Sequence, residues 1–380
     1  MVTVRKLETE VKAIARESGA ALVGIASRER LTGAPPSVDP SYVLPATRSV
    51  ITVAIPLDRK LIRDFLSKKS WLAHGADRKR IYQTLYNITD SLADFLRGKG
   101  FEARGIDANN TYRPEPGGTD AINRVKMVPD FSHRYAAVAA GLGDLGWSGN
   151  LVTPRFGAAV YLTSVLTSAE LEPDPLLEAN PCDKCKLCTT VCPVEMLSPR
   201  VTDSVTIAGR QHAHAKKGNN ARCVIGCGGY HGLNTSKQWS TWSPYRVDYP
   251  LPQNEDELVA LSRRVRAADP DKQGSRAFLT QRDKCFDPGE TYIDTCGNCQ
   301  VICWERREDR EENRRLLMDS GIVVLTPEGK RTAVPQEQAA EVETHRLVRV
   351  AVPRQEAGTV RTWLSQALDR DARKSPCAHC

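Results

Sequence analysis

The sequence predicts a mixed α/β (α+β) domain followed by a cysteine-rich domain. In the first half, segments with helical periodicity alternate with short runs of β-branched residues, which is typical of helices layered on a sheet. All twelve cysteines lie at or after Cys182. The 41% hydrophobic content is that of an ordinary globular chain, and 380 residues suffice for two or three domains of about 150 residues each. The net charge of +7 demands neither nucleic acid nor an anionic ligand.

The elements of the first half follow in a regular order. Apolar residues at 7, 11 and 14 recur at helical spacing before Gly19, and residues 20–26 then resemble a buried strand. Residues 49–57 are rich in β-branched residues and include a proline near their end, which predicts a second strand. A long helix ending near Gly98 is expected next. Its apolar face would consist of Ile81, Leu85, Ile88, Leu92 and Phe95.

The first cysteine run, at residues 182–193, has the spacing C-x2-C-x2-C-x3-C-P. Bacterial ferredoxins hold 4Fe-4S clusters with this run, and its fourth cysteine binds a different cluster from the first three. A second run, C-x2-C-x3-C, lies at residues 296–303. The two runs are expected to interleave around two 4Fe-4S clusters. The predicted ligands are Cys182, Cys185, Cys188 and Cys303 for the first cluster, and Cys192, Cys296, Cys299 and Cys285 for the second.

The eighth ligand is the open point of this assignment. Cys285 is preferred because it lies in a polar, turn-prone stretch close before the second run, and Cys223 and Cys227 are the alternatives. Structural zinc would explain paired C-x2-C elements, but not the third cysteine of the first run or the proline after the fourth. The amino terminus lacks a signal sequence, and no stretch reaches about 18 apolar residues, so we expect a cytoplasmic protein without disulfides or a membrane span.

A glycine-rich segment lies at residues 141–157; its first part, residues 141–150, is termed the glycine loop and contains the pattern G-x-G-x-x-G at 141–146. A dinucleotide site would need a strand before the loop and an acidic residue about 20 residues after it. Residues 135–140 instead favour a helix, and no Asp or Glu lies between Leu145 and Ser168. The glycines are therefore expected to let backbone approach a large flat cofactor, or to form turns.

The glycine loop, residues 154–157 and 165–174, and the first cysteine run together resemble the corrinoid iron-sulfur reductases, a superfamily of epoxyqueuosine reductases and reductive dehalogenases. The resemblance covers about the first 310 residues and includes Trp304 after the second run. It implies a nitroreductase-like domain at 1–175 that binds base-off cobalamin, and a ferredoxin-like domain with two 4Fe-4S clusters at 176–318. The expected cobalamin-binding residues are Gly141, Leu142, Gly143, Gly146, Trp147, Gly149 and Asn150.

The sequence departs from the superfamily at its proton donor. Met127 occupies the position of the catalytic aspartate of epoxyqueuosine reductases, and the nearest acid is Asp130, beside His133. Tyr112 is a second candidate because a tyrosine serves as donor in dehalogenases. Trp147 stands where dehalogenases commonly have arginine, so the chain follows neither branch closely.

Three further segments carry expectations. A long insertion at about 200–280 contains Cys223, Cys227, His212, His214 and His231, which suit either an extra metal or anion site or a polar lid. Residues 304–315, with five acids and five arginines, predict a solvated helix. A small extension at 319–380 includes predicted strands at 321–325 and 347–352. It ends with Cys377 and Cys380, which could bind a metal or an electron-donor partner.

These observations favour a cytoplasmic reductase that relays electrons through two clusters to a corrinoid and reduces a small molecule, as in dehalogenation or a related elimination. A ferredoxin, a flavodoxin or a separate reductase would supply the electrons. One alternative is epoxyqueuosine reduction on tRNA, although nucleic acid is otherwise not an expected partner. A non-catalytic electron-transfer subunit is the other alternative, and bound cobalamin would distinguish it from an enzyme.

Overall fold

The computed structural model describes residues 4–108, 113, 128–247, 251–267, 282, 286, 296–326 and 328–343. Its helices and strands form a mixed α/β fold, as predicted. The predicted strand at 347–352, Tyr112, Cys285, Cys377 and Cys380 lie outside the described residues. None of the described helices is both long and apolar enough to cross a membrane.

The central element of the first half is a fully antiparallel four-stranded sheet in the order β1-β2-β6-β3. Ile51 of β2 pairs with Ile25 on one side and with Val165 on the other. The expected strands at 20–26 and 49–57 correspond to β1 and β2. The strands are β1 (Leu22–Ser27), β2 (Ser49–Pro56), β3 (Ala103–Ile106), β4 (Asp144–Leu145), β5 (Leu151–Val152), β6 (Val160–Thr167), β7 (Leu197–Ile207), β8 (Arg210–Lys217), β9 (Ile322–Leu325) and β10 (Arg331–Val334).

Helices cover both faces of this sheet. Alternate residues of β2 point to opposite faces, so Ile51 belongs to a core with α1 and α3, whereas Val50 belongs to a core with α4. Seven of the eight β2 residues are therefore buried. The helices are α1 (Val4–Glu17), α2 (Arg59–Leu66), α3 (Leu72–Gly98), α4 (His133–Ala139), α5 (Leu187–Thr190), α6 (Asn220–Cys227), α7 (Glu255–Ala267), α8 (Asn298–Val301), α9 (Arg307–Met318) and α10 (Gln336–Glu343).

The hydrophobic core continues from this sheet into the cysteine-rich part of the chain. Val191, Ile302 and Trp304 lie in the same buried cluster as the apolar face of α3. Trp242, from the predicted insertion, joins them and donates from its indole Nε1 to the carbonyl of Phe65 at 2.9 Å. The two halves are therefore packed directly on each other, and the domain boundaries at 175 and 318 stay predictions.

Candidate metal centre

Four cysteines, which we term the first thiol group, surround one cavity: Cys182, Cys185, Cys188 and Cys303. The first three come from the run that leads into α5, and Cys303 follows α8. Burial, with smaller effects from Cys182 and Cys185, raises the pKa of Cys303 to about 12, and Arg310 opposes this shift. Without metal the Cys303 thiol is therefore protonated, and cationic iron would stabilise its thiolate.

Five other cysteines lie together at a second place: Cys192, Cys223, Cys227, Cys296 and Cys299, the second thiol group. Burial raises the pKa of Cys192 to about 12, with added effects from Cys296 and Cys223. Burial likewise raises the pKa of Cys299, again with contributions from Cys192, Cys296 and Cys223. The structure thus brings together cysteines from both runs, and it places Cys223 and Cys227 beside them in the second thiol group. Which of these cysteines bind clusters stays a prediction.

Buried polar contacts fix the two runs against each other. Asn298, fully buried on α8, donates from Nδ2 to the carbonyl of Val191 in the first run at 3.2 Å. Lys184 and Lys186 adopt left-handed backbone conformations, with φ of 56° and 60°, which turn the chain sharply between the first three cysteines. Among the described residues, no three His, Cys, Asp or Glu side chains are grouped so as to hold a single metal ion.

Arg310 on α9 contacts the first thiol group and corrects the prediction of a fully solvated helix at 304–315. Its side chain is only 5% exposed and binds Asp183 through two hydrogen bonds of 2.9 Å. Its Nη1 also lies 3.7 Å from Cys185 Sγ. Burial would raise the pKa of Asp183, but the Cys185 N–H and Arg310 hold that pKa below its usual value. The equal numbers of acidic residues and arginines in this segment gave no indication that Arg310 is buried.

Replacing Arg310 with methionine is expected to destabilise the fold by about 2 kcal/mol. The substitution removes a bidentate charged pair and leaves the Asp183 carboxylate beside the thiols without Arg310. Iron bound at the first thiol group should then be lost faster to a chelator. Urea unfolding and the rate of iron release would measure both effects. Arg307→Met is the matched control, since exposed Arg307 pairs within its helix with Glu311, and it should change stability by about 0.5 kcal/mol or less. Equal effects of the two substitutions would contradict the prediction.

The glycine loop contacts both thiol groups. The backbone N–H of Trp147 lies 3.3 Å from Cys182 Sγ, and Asn150 donates from Nδ2 towards Cys299 Sγ at 3.7 Å. Lys186 lies 4.4 Å from the centre of the Trp147 ring, and the Trp147 indole donates to the carbonyl of Ser198. The loop is therefore a bridge between the places where two clusters would be bound.

The chain itself occupies the space beside the loop glycines. A Cβ at Gly141 would lie 2.1 Å from the Pro175 carbonyl oxygen, and one at Gly143 would lie 2.3 Å from that of Val152. Gly146 abuts the Val152 side chain, and Gly149 abuts Lys217 Nζ. Packing against the protein itself is thus one reason for glycine at these positions, and the cobalamin contacts expected of the glycines stay predictions. Cobalamin contacts by Leu142, Trp147 and Asn150 stay predictions.

The start of the predicted insertion is a β-hairpin, β7-β8, that packs on the glycine loop. His212 on β8 is buried and forms a 2.5 Å hydrogen bond through Nδ1 with Asp144 of the loop. The Ala215 N–H donates to the Trp147 carbonyl at 2.8 Å. His214 and His231 also have hydrogen-bond partners within the chain, with Ala215 and Val247 respectively. The three histidines therefore have structural roles rather than forming the extra metal site considered from the sequence.

The His212–Asp144 pair is expected to make this docking pH-dependent. The hydrogen bond with Asp144 raises the pKa of His212 above its usual value. The pair therefore stabilises the fold fully below the unfolded pKa of about 6.5, and this stability is lost as pH rises through the raised folded pKa. His212→Gln should cost about 1 kcal/mol at pH 6 and less at pH 9. Unfolding midpoints at both pH values test this, and an equal loss at both would contradict it.

The described candidates for the proton donor have structural partners. Burial lowers the pKa of His133 to about 4, so this imidazole is neutral. Its Nε2 lies 3.0 Å from the Asp107 carbonyl, and its Nδ1 lies 3.0 Å from Ser164 Oγ. Since a carbonyl only accepts, Nε2 carries the proton and Nδ1 accepts. The backbone carbonyl of half-buried Asp130 accepts two hydrogen bonds from Arg113. Catalytic roles for Asp130, Tyr112 and His133 stay predictions.

Sequence reasoning missed several side chains around the thiols. Asp183, Arg310 and Asn298 hold the cysteine runs, and Lys217 lies near Cys299 and Cys223. Burial lowers the pKa of Lys217 to about 8, with Arg134 adding to the effect and the two thiols opposing it. Asp183 was visible as the acidic residue inside the first run, but the sequence did not show which of the five arginines at 306–315 is its partner.

Comparison with known proteins gives relatives of two kinds. The chain is 29% identical over 175 residues to the epoxyqueuosine reductase of Staphylococcus aureus, covering 42% of this chain and 38% of that protein. It is 30% identical over 195 residues to the epoxyqueuosine reductase of Gloeobacter violaceus, covering 51% and 55% respectively. It is 30% identical over 154 residues to the tetrachloroethene reductive dehalogenase of Desulfitobacterium hafniense, covering 40% and 24%. The chain thus spans between a quarter and just over half of these relatives.

Solved structures of the same two kinds are also similar to the chain. An epoxyqueuosine reductase with a tRNA stem loop aligns over 83% of this chain and 82% of its own, at 16% identity and a TM-score of 0.42. A reductive dehalogenase described in terms of B12-dependent dehalogenation aligns over 91% and 41%, at 16% identity and a TM-score of 0.45. No protein-family model matches the chain. The sequence matches confirm the predicted resemblance of this chain to the epoxyqueuosine reductases and reductive dehalogenases.

Proposed function

We propose that this chain is an oxidoreductase that carries two 4Fe-4S clusters, one at each thiol group, and transfers electrons through them to cobalamin and a substrate. The observation that carries the proposal is the glycine loop, whose Trp147 and Asn150 N–H groups contact Cys182 and Cys299 respectively. Hydrogen bonds to cluster sulfur stabilise the reduced, more negative state and so tune the reduction potential.

The donor set fits iron-sulfur clusters. Each thiol group supplies at least four cysteines and includes members of both runs, and α6 adds Cys223 and Cys227 to the second group. The surrounding N–H groups point at sulfur. Besides the loop contacts, the Met196 N–H lies 3.3 Å from Cys192 Sγ. In the first group Arg310 adds a buried cation beside Cys185, which offsets the negative charge that a reduced cluster would carry. These residues would hold the clusters and exclude water from them.

Cobalamin belongs to the proposal because of the relatives, since the loop glycines pack against the chain itself. When bound, it would supply low-valent cobalt for reducing a substrate carbon. Anaerobic purification after growth with cobalamin, followed by iron, sulfide and cobalt analysis with EPR, tests both cofactors. About eight iron and one cobalt per chain would support the proposal. Iron without cobalt, under conditions that load a related reductase, would favour an electron-transfer subunit instead.

The substrate has two candidates. The sequence matches support epoxyqueuosine in tRNA as well as they support a small organohalide, so the expectation that nucleic acid is an unlikely partner has no support. Incubating the reduced, cobalt-loaded protein with epoxyqueuosine-containing tRNA and, separately, with tetrachloroethene would distinguish them. Queuosine formation would assign the first activity, and chloride release would assign the second. A redox partner such as a ferredoxin or flavodoxin is proposed as the electron source for either reaction.

A further inference from the structure

The second thiol group has one cysteine more than a 4Fe-4S cluster requires. The described part of the chain contains nine cysteines outside any disulfide, of which four form the first group and five the second. Four thiolates complete a cluster. The second group therefore satisfies a cluster without Cys285 and still has a surplus thiol.

The surplus thiol belongs to a pair on α6. Cys223 and Cys227 are four residues apart, so their side chains emerge on the same face of the helix, one turn apart. Their Sγ atoms lie 3.5 Å from each other. Cys227 also interacts with Cys296: hydrogen bonds with Cys223 and with Cys296 raise the pKa of Cys227 well above its usual value.

The position of α6 is fixed against the first cysteine run. Gly226 packs on Val194, two residues after Cys192, and a Cβ at Gly226 would already lie 3.2 Å from both Val194 methyl groups. The Asn219 side chain caps the start of the helix by accepting from the Ala221 N–H. These contacts hold the α6 backbone near both ends. Since the two thiols lie on the same face of the helix, side-chain rotation alone would let one replace the other as a ligand.

We propose that Cys223 and Cys227 are alternative ligands to one iron of the second cluster, so that either cysteine alone suffices to hold it. This inference rests on the proposed two-cluster function. In the exchange, the iron–sulfur bond to one cysteine breaks as the bond to the other forms, and the proton of the incoming thiol passes to the released thiolate. No oxidant or reductant is consumed. The arrangement preserves the cluster when either thiol is chemically modified.

Four alanine variants test the proposal in the full chain: Cys223→Ala, Cys227→Ala, the double variant, and Cys192→Ala as a control that removes a ligand without a neighbouring substitute. Iron and sulfide per chain would be measured after anaerobic purification, with EPR of the oxidised and the dithionite-reduced protein. Circular dichroism would establish that each variant is folded. We expect each single α6 variant to keep the wild-type iron content, with altered g-values in the variant whose ligand changes.

The double variant and Cys192→Ala are expected to lose the second cluster or retain it only as a 3Fe-4S species. Loss in Cys223→Ala alone, with full iron in Cys227→Ala, would overturn the proposal and make Cys223 the sole ligand. Full iron in the double variant would also overturn it and point to Cys285. If the wild-type protein itself binds only one cluster, the proposed two-cluster function is wrong. The wild-type iron content therefore separates that result from an error in the ligand exchange alone.

Discussion

Replacing Cys303 with alanine is expected to reduce the iron content from about eight towards about four per chain and to lower reductase activity by about 100-fold or more. Cys303 is the member of the first thiol group that comes from the second run. The nearby thiols of Cys182 and Cys185 contribute to its raised pKa. Among the described residues that line its cavity, no fifth cysteine is available to replace it. The electron path through the first cluster should therefore be interrupted.

Iron analysis, EPR and single-turnover reduction of the substrate would measure these losses. Cys227→Ala is the matched control, because it also removes a cysteine near a proposed cluster but leaves four thiols in the second group. It is expected to retain its iron and most of its activity. Full iron and full activity in Cys303→Ala would exclude a cluster bound by the first thiol group.

Replacing Gly157 with alanine is expected to destabilise the fold by about 3 kcal/mol or more. Gly157 has a φ of 60°, and a Cβ there would lie 2.2 Å from the Cys303 carbonyl oxygen and 2.5 Å from Trp304 Cα. The next residue, Ala158, donates its N–H to that same carbonyl at 2.7 Å. The substitution would therefore separate the second cysteine run from the segment that leads into β6.

Thermal and urea unfolding would measure the loss of stability, and iron retention would show whether the first thiol group opens. Gly98→Ala is the control: Gly98 ends α3, has no positive φ, and has no atom within 4 Å of an added Cβ. That variant should be neutral or slightly more stable, since alanine favours the helix. Unchanged stability in Gly157→Ala would show that the backbone at Cys303 can shift freely.

Local patterns predicted the elements well. Helical periodicity identified α3, alternation and β-branching identified β1 and β2, and residues 135–140 formed a helix, α4, rather than the strand that a dinucleotide site needs. Cysteine spacing also predicted that Cys303 would join the first three cysteines. These features depend on interactions within a few residues, or on a metal geometry that constrains the spacing directly.

Contacts between distant segments decided the rest. The sequence placed a solvated helix after Trp304, but tertiary packing buries Arg310 against Asp183, 127 residues earlier in the chain. The loop glycines were expected to approach a flat cofactor or to form turns, and tertiary packing places Pro175, Val152 and Lys217 against them, which no local pattern indicated.

The choice of partners within the second thiol group has the same origin. Cys285 was preferred because it is near the second run in sequence, and it lies outside the described residues, so its role stays a prediction. The two alternatives, Cys223 and Cys227, are more than 65 residues before the second run, and α6 brings them beside Cys296 and Cys299. The sequence by itself determined the elements, the cysteine-rich half and the family resemblance, because spacing and periodicity are local properties. Only the tertiary structure decided which thiols, charges and glycines meet, because those contacts depend on how packed helices and strands bring remote residues together.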